Sequence, residues 1–190
     1  MTPESIAFIT VFLLLLLVTV KPFGLYMAHV MEGQPIWPLR AGARFESLIY
    51  RLCGIDPTAQ MGWKKYAIAL VLFNTLGALG VYALQRLQVW LPFNPQQFPN
   101  VSADSSFNTA MSFITNTNWQ GYSGESTMSY LTQMAGLAVQ NFMSAASGIA
   151  VAIALIRGFA RHSVSTIGNV WVDLTRSTLY ILLPISVVAA

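Results

Sequence analysis

The sequence is short of charge. Ten Lys or Arg and seven Asp or Glu are spread over 190 residues, 9% in all, while 55% of residues are hydrophobic. Ordinary soluble domains carry about 25% charged residues. A deficit of that size points to an integral membrane protein, and the long apolar runs make all-α its expected class. The net charge of +3 implies no nucleic-acid partner, because the basic residues stand at helix ends and form no block or stripe. Cysteine is almost absent: Cys53 stands alone, which excludes an internal disulfide framework and a Cys-based metal site. His29 and His162 are far apart and lack zinc-ligand spacing. There is no GxxxxGK[ST] phosphate loop, no phosphorylatable Asp motif, no Ser/His/Asp triad and no pair of buried carboxylates. No catalytic residue is therefore expected, and no ATP is expected to bind this chain. The first apolar run has neither a basic start nor a clear small-residue cleavage site, so no removable signal peptide is expected.

What is present is a series of apolar runs. The first extends from about Ser5 to Val20, with Lys21-Pro22 marking its far end and an extension to Tyr26 left open. Residues 30–65 read as a loop, with Pro35, Pro38 and Pro57 and with five cations: Arg40, Arg44, Arg51, Lys64 and Lys65. A second helix is predicted over Tyr66–Leu84, whose 19 residues rise about 28 Å. A third runs from about Tyr130 to Ile156 and ends at Arg157, Arg161 and His162. A fourth begins near Thr178, and the chain stops partway through it, which gives the sequence the look of an incomplete protein. Asp173 and Arg176, three apart, are expected to form a surface pair. Lys and Arg are concentrated in 30–65 and in 157–177, where Arg157, Arg161 and Arg176 lie. Segment 85–129 holds only Arg86. The two basic segments are expected in the cytoplasm, and the N-terminus and segment 85–129 outside.

That outer segment contains the most informative stretch, Thr115-Asn116-Thr117-Asn118-Trp119-Gln120-Gly121-Tyr122-Ser123-Gly124-Glu125. It follows a short amphipathic run, Ser105–Ile114, for which Ser102 or Asp104 is the candidate cap. A helix that short rises about 15 Å, half of a hydrocarbon core of about 30 Å. An outer loop with a stray helix is one reading. The order of spanning helix, half-length helix, polar turn and spanning helix favours a re-entrant pore loop, since non-helical backbone at membrane depth needs protein or a water-filled cavity around it. The turn offers neutral oxygens, from Thr115, Thr117, Ser123, Asn116, Asn118 and Gln120, and these suit a dehydrated monovalent cation. A divalent site gathers carboxylates, and only Glu125 is near. Glu125 has two readings, a charge that concentrates cations at an outer vestibule and a solvated loop charge. Trp119 and Tyr122 read as packing braces or as members of an interface belt, with packing favoured. On the third helix, Gln140 or Asn141 could stand behind the turn, but helix packing is the favoured reading of both.

These strings carry a resemblance. Thr115–Gln120, Tyr122–Glu125, Gln133-Met134-Ala135-Gly136-Leu137, Val139-Gln140-Asn141-Phe142 and Ser144-Ala145-Ala146-Ser147-Gly148 resemble the potassium-binding subunit of the bacterial Kdp potassium-transporting ATPases. Leu91–Gln97 and Gly168–Leu174 extend it. The resemblance covers all 190 residues and matches the N-terminal third of that protein. It implies an extra N-terminal transmembrane helix (1–29), a cytoplasmic loop (30–65) and a first helix–pore loop–helix repeat of potassium-channel type (66–156). The pore helix is then 105–114 and the filter 115–122, and 157–190 is a cytoplasmic segment with the truncated first helix of a second repeat. It further implies that Thr115, Asn116, Thr117 and Asn118 supply one quarter of a potassium filter. Asn116 takes the place of a channel's first filter Gly, and Gln120 and Gly121 lie beside the filter. Implied partners are a P-type ATPase subunit that hydrolyses ATP, two small accessory subunits and the lipid bilayer of a bacterial plasma membrane. K+ is the transported ion. A stand-alone potassium channel or a Trk-like transporter is the alternative function.

Overall fold

The computed structural model describes residues 2–160 and 165–190. Arg161 and His162, expected at the end of the third helix, lie outside the described residues. The regular secondary structure of the described residues is helical apart from one isolated bridge between Met61 and Gly168. Its helices are α1 (Pro3–Glu32), α2 (Trp37–Cys53), α3 (Trp63–Leu87), α4 (Ala103–Ile114), α5 (Gly124–Thr127), α6 (Thr132–Ala160) and α7 (Val170–Ala189). Among the described residues, four stretches are long and apolar enough to cross a membrane: one near the N-terminus, which falls in α1, and α3, α6 and α7.

Helix α1 starts where Thr2 accepts the N–H of Ser5 and Pro3 occupies the first turn. It ends where Gly33 adopts φ 69° and its N–H reaches the carbonyl of Val30. Lys21-Pro22 does not end it. A proline removes a single backbone donor, and the helix runs on through Pro22 to Glu32. Leu13 to Val18 are all exposed, and within α1 only Val30 and Met31 are buried. An apolar surface of that extent is suited to lipid and unsuited to water.

The expected loop over 30–65 is largely helical: α2 occupies Trp37–Cys53. Pro38 sits in its first turn, where a missing N–H costs nothing, so a residue that reads as a loop marker is a helix starter. Leu39, Glu46 and Tyr50 form its buried face. Helix α7 begins at Val170, well before the expected Thr178, because the Asn169 side chain caps it by accepting the N–H of Trp171. Both α6 and α7 contain a π-helical stretch, Thr132–Ala138 and Ser177–Leu182 respectively.

Three buried clusters hold the helices together. Tyr66, Ala146, Ala150, Ala154, Val170 and Leu174 join α3, α6 and α7, and the alanines at four-residue spacing let the helices approach closely. Val81, Val101, Ala110, Phe113, Met128 and Leu137 join α3, α4 and α6. Val30, Met31, Leu39, Tyr180 and Ile181 tie the end of α1 and the start of α2 to α7.

The expected surface pair of Asp173 with Arg176 does not form. Asp173 is buried and takes two bonds from the Arg157 guanidinium, at 2.7 and 3.0 Å. Tyr66 donates to the same carboxylate at 2.9 Å. Arg157 also donates to the carbonyls of Met31 and Ile167, at 3.1 and 3.2 Å. Arg176 turns instead to Glu46 at 2.9 Å, and the hydroxyls of Tyr50 and Tyr180 complete that carboxylate's shell at 2.6 and 2.8 Å. Partners far away in the sequence outcompete the helical neighbour because burial rewards full satisfaction of each charge. Asp173→Ala is therefore expected to cost about 3 kcal/mol, by leaving the half-buried Arg157 without its counter-charge and Tyr66 without its acceptor. The check is the thermal unfolding midpoint in detergent, compared with a substitution at exposed Lys64.

Candidate functional site

Helix α4 lies between α3 and α6. Ser102 caps it by accepting the N–H of Ser105, and Ser106, Thr109, Ala110, Ser112 and Phe113 are buried. Its 12 residues rise about 18 Å, so it has the half-length the sequence predicts, beginning two residues earlier than Ser105.

The backbone after Ile114 folds back on the helix it leaves. The N–H groups of Thr115 and Asn116 donate to the carbonyls of Met111 and Phe113, at 3.2 and 3.3 Å. Those of Thr117 and Asn118 both donate to the carbonyl of Ser112, at 3.0 and 3.2 Å. Asn116 and Asn118 have φ of 56° and 58°, the left-handed region, whereas Thr115 has φ −84°. Asn tolerates that region better than other side-chain-bearing residues, so the two asparagines do the conformational work of glycines. With all four donors spent on α4, the carbonyls of residues 115–118 receive no hydrogen bond among the described residues. All four residues are exposed.

Side chains fix this turn from three sides. Ser112, buried in α4, donates its hydroxyl to the carbonyl of Trp119 at 2.9 Å. The hydroxyls of Thr115 and Thr117 bond to each other at 2.7 Å. Ser144 of α6 lies 3.3 Å from Oδ1 of Asn116, within donor reach. Gln120, Gly121 and Asn118 are exposed. A Cβ added at Gly121 would meet nothing within 4 Å. Tyr122 is half-buried against the Val81–Phe113–Leu137 cluster. Glu125 lies in the short helix α5, fully exposed, where its own backbone N–H and the Ser123 hydroxyl hold its carboxyl below the usual range.

Gln140 and Asn141 are not gathered at Asn116. Asn141 is exposed. Gln140 is buried and packs its carboxamide oxygen against Gly77 of α3, and its Nε2 has no partner among the described residues. The contact with Asn116 is made one turn further on, by Ser144.

Two glutamines brace the loop: Gln88, which sequence reasoning missed, and Gln133, which it read only within a run of polar residues on the third helix. Gln88, at the end of α3 and wholly buried, donates to the carbonyls of Pro99 and Thr127 and accepts the N–H of Ser129 at 3.1 Å. Gln133, in the π-helical stretch of α6, donates to the carbonyls of Gly124 and Met128, at 3.2 and 2.9 Å. The available signal was the Gln85-x-x-Gln88 spacing, which puts two amides on one buried helix face.

A half-length helix buried between candidate spans, followed by a turn with free carbonyls, defines an all-helical membrane protein with a loop folded back between its long helices. The chain belongs to the family described as KdpA: Potassium-transporting ATPase A subunit, whose model matches residues 10–190. It is 67% identical over 180 residues to a "Potassium-transporting ATPase potassium-binding subunit" of Dechloromonas aromatica, covering 95% of this chain and 30% of the relative. Proteins of the same description from Ralstonia nicotianae and Herpetosiphon aurantiacus are 66% and 61% identical, covering 96% and 99% of this chain and 31% and 32% of the relatives. The chain thus spans about 30% of the length of these bacterial relatives.

Gln88 and Gly121 should behave oppositely. Gln88→Ala strands the buried N–H of Ser129 and the half-buried carbonyl of Thr127 and is expected to cost ~2 kcal/mol. Gly121→Ala enters open space at an ordinary φ and is expected to stay within about 0.5 kcal/mol of the parent. Thermal unfolding of the two variants in the same detergent reads the difference.

Proposed function

We propose that this chain provides one quarter of a potassium filter in the potassium-binding subunit of an ATP-driven potassium uptake complex. In this reading α1 is an extra transmembrane helix, α3, α4 and α6 make a first channel-like repeat, and α7 opens a second. The cations of 30–65 and 157–177 lie in the cytoplasm, and the turn after α4 opens to the outside. The protein sits in a bacterial plasma membrane.

One observation carries the reading: every backbone donor of residues 115–118 is turned into the protein, and every carbonyl is left free among the described residues. A cation stripped of water needs a set of fixed, uncharged oxygens, and a ring of such carbonyls can replace its hydration shell. Thr115, Asn116, Thr117 and Asn118 supply this quarter of the ring. Ser144 and Ser112 hold them in register, and Gln120 and Gly121 flank them. Gln140 supports the filter from a distance, through the packing of α6 on α3, and Asn141 lies on the exposed side of α6. Potassium that passes the filter is handed on to a P-type ATPase subunit with two small accessory subunits. This chain itself binds no ATP and performs no catalysis. The names of the relatives favour this reading over a channel that works alone.

Asn116 separates backbone from side chain. Asn116→Gly keeps the left-handed conformation and is expected to retain potassium affinity within a few-fold. Asn116→Val forbids it, at about 1–2 kcal/mol of strain, and is expected to raise the apparent KM for potassium at least tenfold. Potassium-dependent ATP hydrolysis by the purified complex measures both, and equal behaviour of the two variants would overturn the role of the backbone.

Glu125 stays ionised through neutral and mildly acidic pH, since its carboxyl is held below the usual range. If it concentrates cations at the vestibule, Glu125→Gln slows potassium entry at low ionic strength and has no effect at 1 M salt, where the Debye length is about 3 Å. Initial uptake rates at two ionic strengths decide between this role and a solvated loop charge.

A further inference from the structure

Helix α2 has three faces, each with a different chemistry. The inward face carries Leu39, Glu46 and Tyr50, with Gly42 tight against Tyr180, where a Cβ would come within 2.5 Å of the ring. A second face carries Trp37, Ala41, Phe45, Leu48 and Leu52, spaced by four, four, three and four residues, so that they form one stripe along the helix. That stripe is exposed: Trp37 is 80% accessible, Phe45 55% and Leu52 76%. A third face, along one edge of the stripe, carries Arg40, Arg44 and Arg51, all exposed. The one acid of α2, Glu46, is turned inward and satisfied by Arg176, Tyr50 and Tyr180. Nothing on the helix opposes the three arginines.

The inward contacts set the height of α2. Arg176 and Tyr180 lie about 9 and 15 Å along α7 from its start at Val170, at ~1.5 Å per residue. α7 is itself a candidate span. The charged residues of α7, Asp173 and Arg176, mark its part nearest the membrane surface, and α2 is held there by Arg176 and one turn further along by Tyr180. An apolar stripe flanked by arginines is the pattern of a helix lying in that plane.

We propose that α2 is an interfacial helix that binds anionic phospholipid. Phe45, Leu48, Leu52 and Trp37 sink into the acyl boundary, and Arg40, Arg44 and Arg51 bind lipid phosphates. The occupant is lipid rather than protein because the apolar stripe and the arginine edge lie side by side along the whole helix, as acyl chains and phosphates do at a membrane surface. This lipid contact stands apart from potassium binding.

The test uses the full-length chain in its native assembly, reconstituted in phosphatidylcholine vesicles. Cys53 is first replaced by Ser, because the native thiol on α2 is exposed. A fluorophore is then placed on Phe45→Cys, Leu52→Cys or Ser47→Cys. Quenching by brominated phosphatidylcholine is compared with quenching by brominated phosphatidylglycerol at equal mole fraction. The labels at positions 45 and 52 should be quenched strongly and that at position 47 weakly. The anionic lipid should quench about threefold more effectively than the neutral one, as expected for clustered arginines at a surface. In the R40Q/R44Q/R51Q variant the preference should vanish while quenching by the neutral lipid persists, which also reports that α2 remains in place. Labels at positions 45 and 52 that neither lipid quenches would show that protein covers the face and would overturn the proposal. A preference that survives loss of all three arginines would overturn it equally.

Discussion

The geometry of the loop after α4 follows from a backbone constraint. A helix leaves its last carbonyls without donors, and a chain that turns back can supply them. Here the N–H groups of Thr115 to Asn118 do so, on the carbonyls of Met111, Ser112 and Phe113. The exchange has a consequence at the far side of each peptide. When a run of donors faces one way, the acceptors face the other, and a run of unpaired carbonyls is exposed. In bulk water such groups would be ordinary. Beside a pore they are ligands. The same bonds that end the helix therefore leave the oxygens of residues 115–118 without a partner among the described residues, and no charged residue is needed to do it.

That turn can be made only where positive φ is tolerated. Asn116 and Asn118 provide this with side chains attached, and Oδ1 of Asn116 lies 3.3 Å from the Ser144 hydroxyl, whose nearer acceptor is the carbonyl of Gln140 at 2.8 Å. Glycine would give the same backbone freedom without a lateral anchor. The serine is in turn positioned by the packing of α6, whose small residues bring it close to α3. The loop's outer half is tied down separately, by Gln88 from α3 and Gln133 from the π-helical stretch of α6. A π-helical stretch widens the helix by one residue and redirects the side chains around it, and such stretches are frequent at functional sites.

Much of this was legible in the sequence, though unevenly. Long apolar runs announced α1, α3, α6 and α7, because burial in lipid demands them whatever the tertiary detail. A half-length amphipathic run and a polar turn announced α4 and the loop. Helix α2 was hidden by its prolines, which mark loops in most positions and helix starts in one. The ends of α1 and α7 were misjudged for related reasons: Pro22 lies inside a helix, and Asn169 caps one well before the expected start. The ion pairs were unreadable. Arg157 and Asp173 are 16 residues apart and Glu46 and Arg176 are 130 apart, and neither separation has a periodicity to betray it. Ser144 was visible as one polar residue among several on α6, but only the folded turn reveals which of them reaches Asn116.

The two ion pairs, each a half-buried arginine on a buried acid, explain how so apolar a chain keeps its helices in one arrangement. Lipid drives no apolar surface together, so helices in a bilayer associate through close packing and polar contacts. Arg157 binds the end of α1 through the carbonyl of Met31, the segment before α7 through Ile167, and α7 itself through Asp173, to which Tyr66 brings α3. Arg176 binds α7 to α2 through Glu46. Both arginines stand beside a glycine with positive φ, Gly168 and Gly33, where a Cβ would collide with the guanidinium. The two cations are thus seated in shaped recesses, and each is paired at a fixed place. At this end of the bundle, specificity of arrangement comes from a few satisfied charges. At the other end, around the turn, it comes from neutral amides and hydroxyls. The turn thus lies where the bundle is held by uncharged groups, and the exposed Glu125 of α5 is the acid that stands closest to it in sequence.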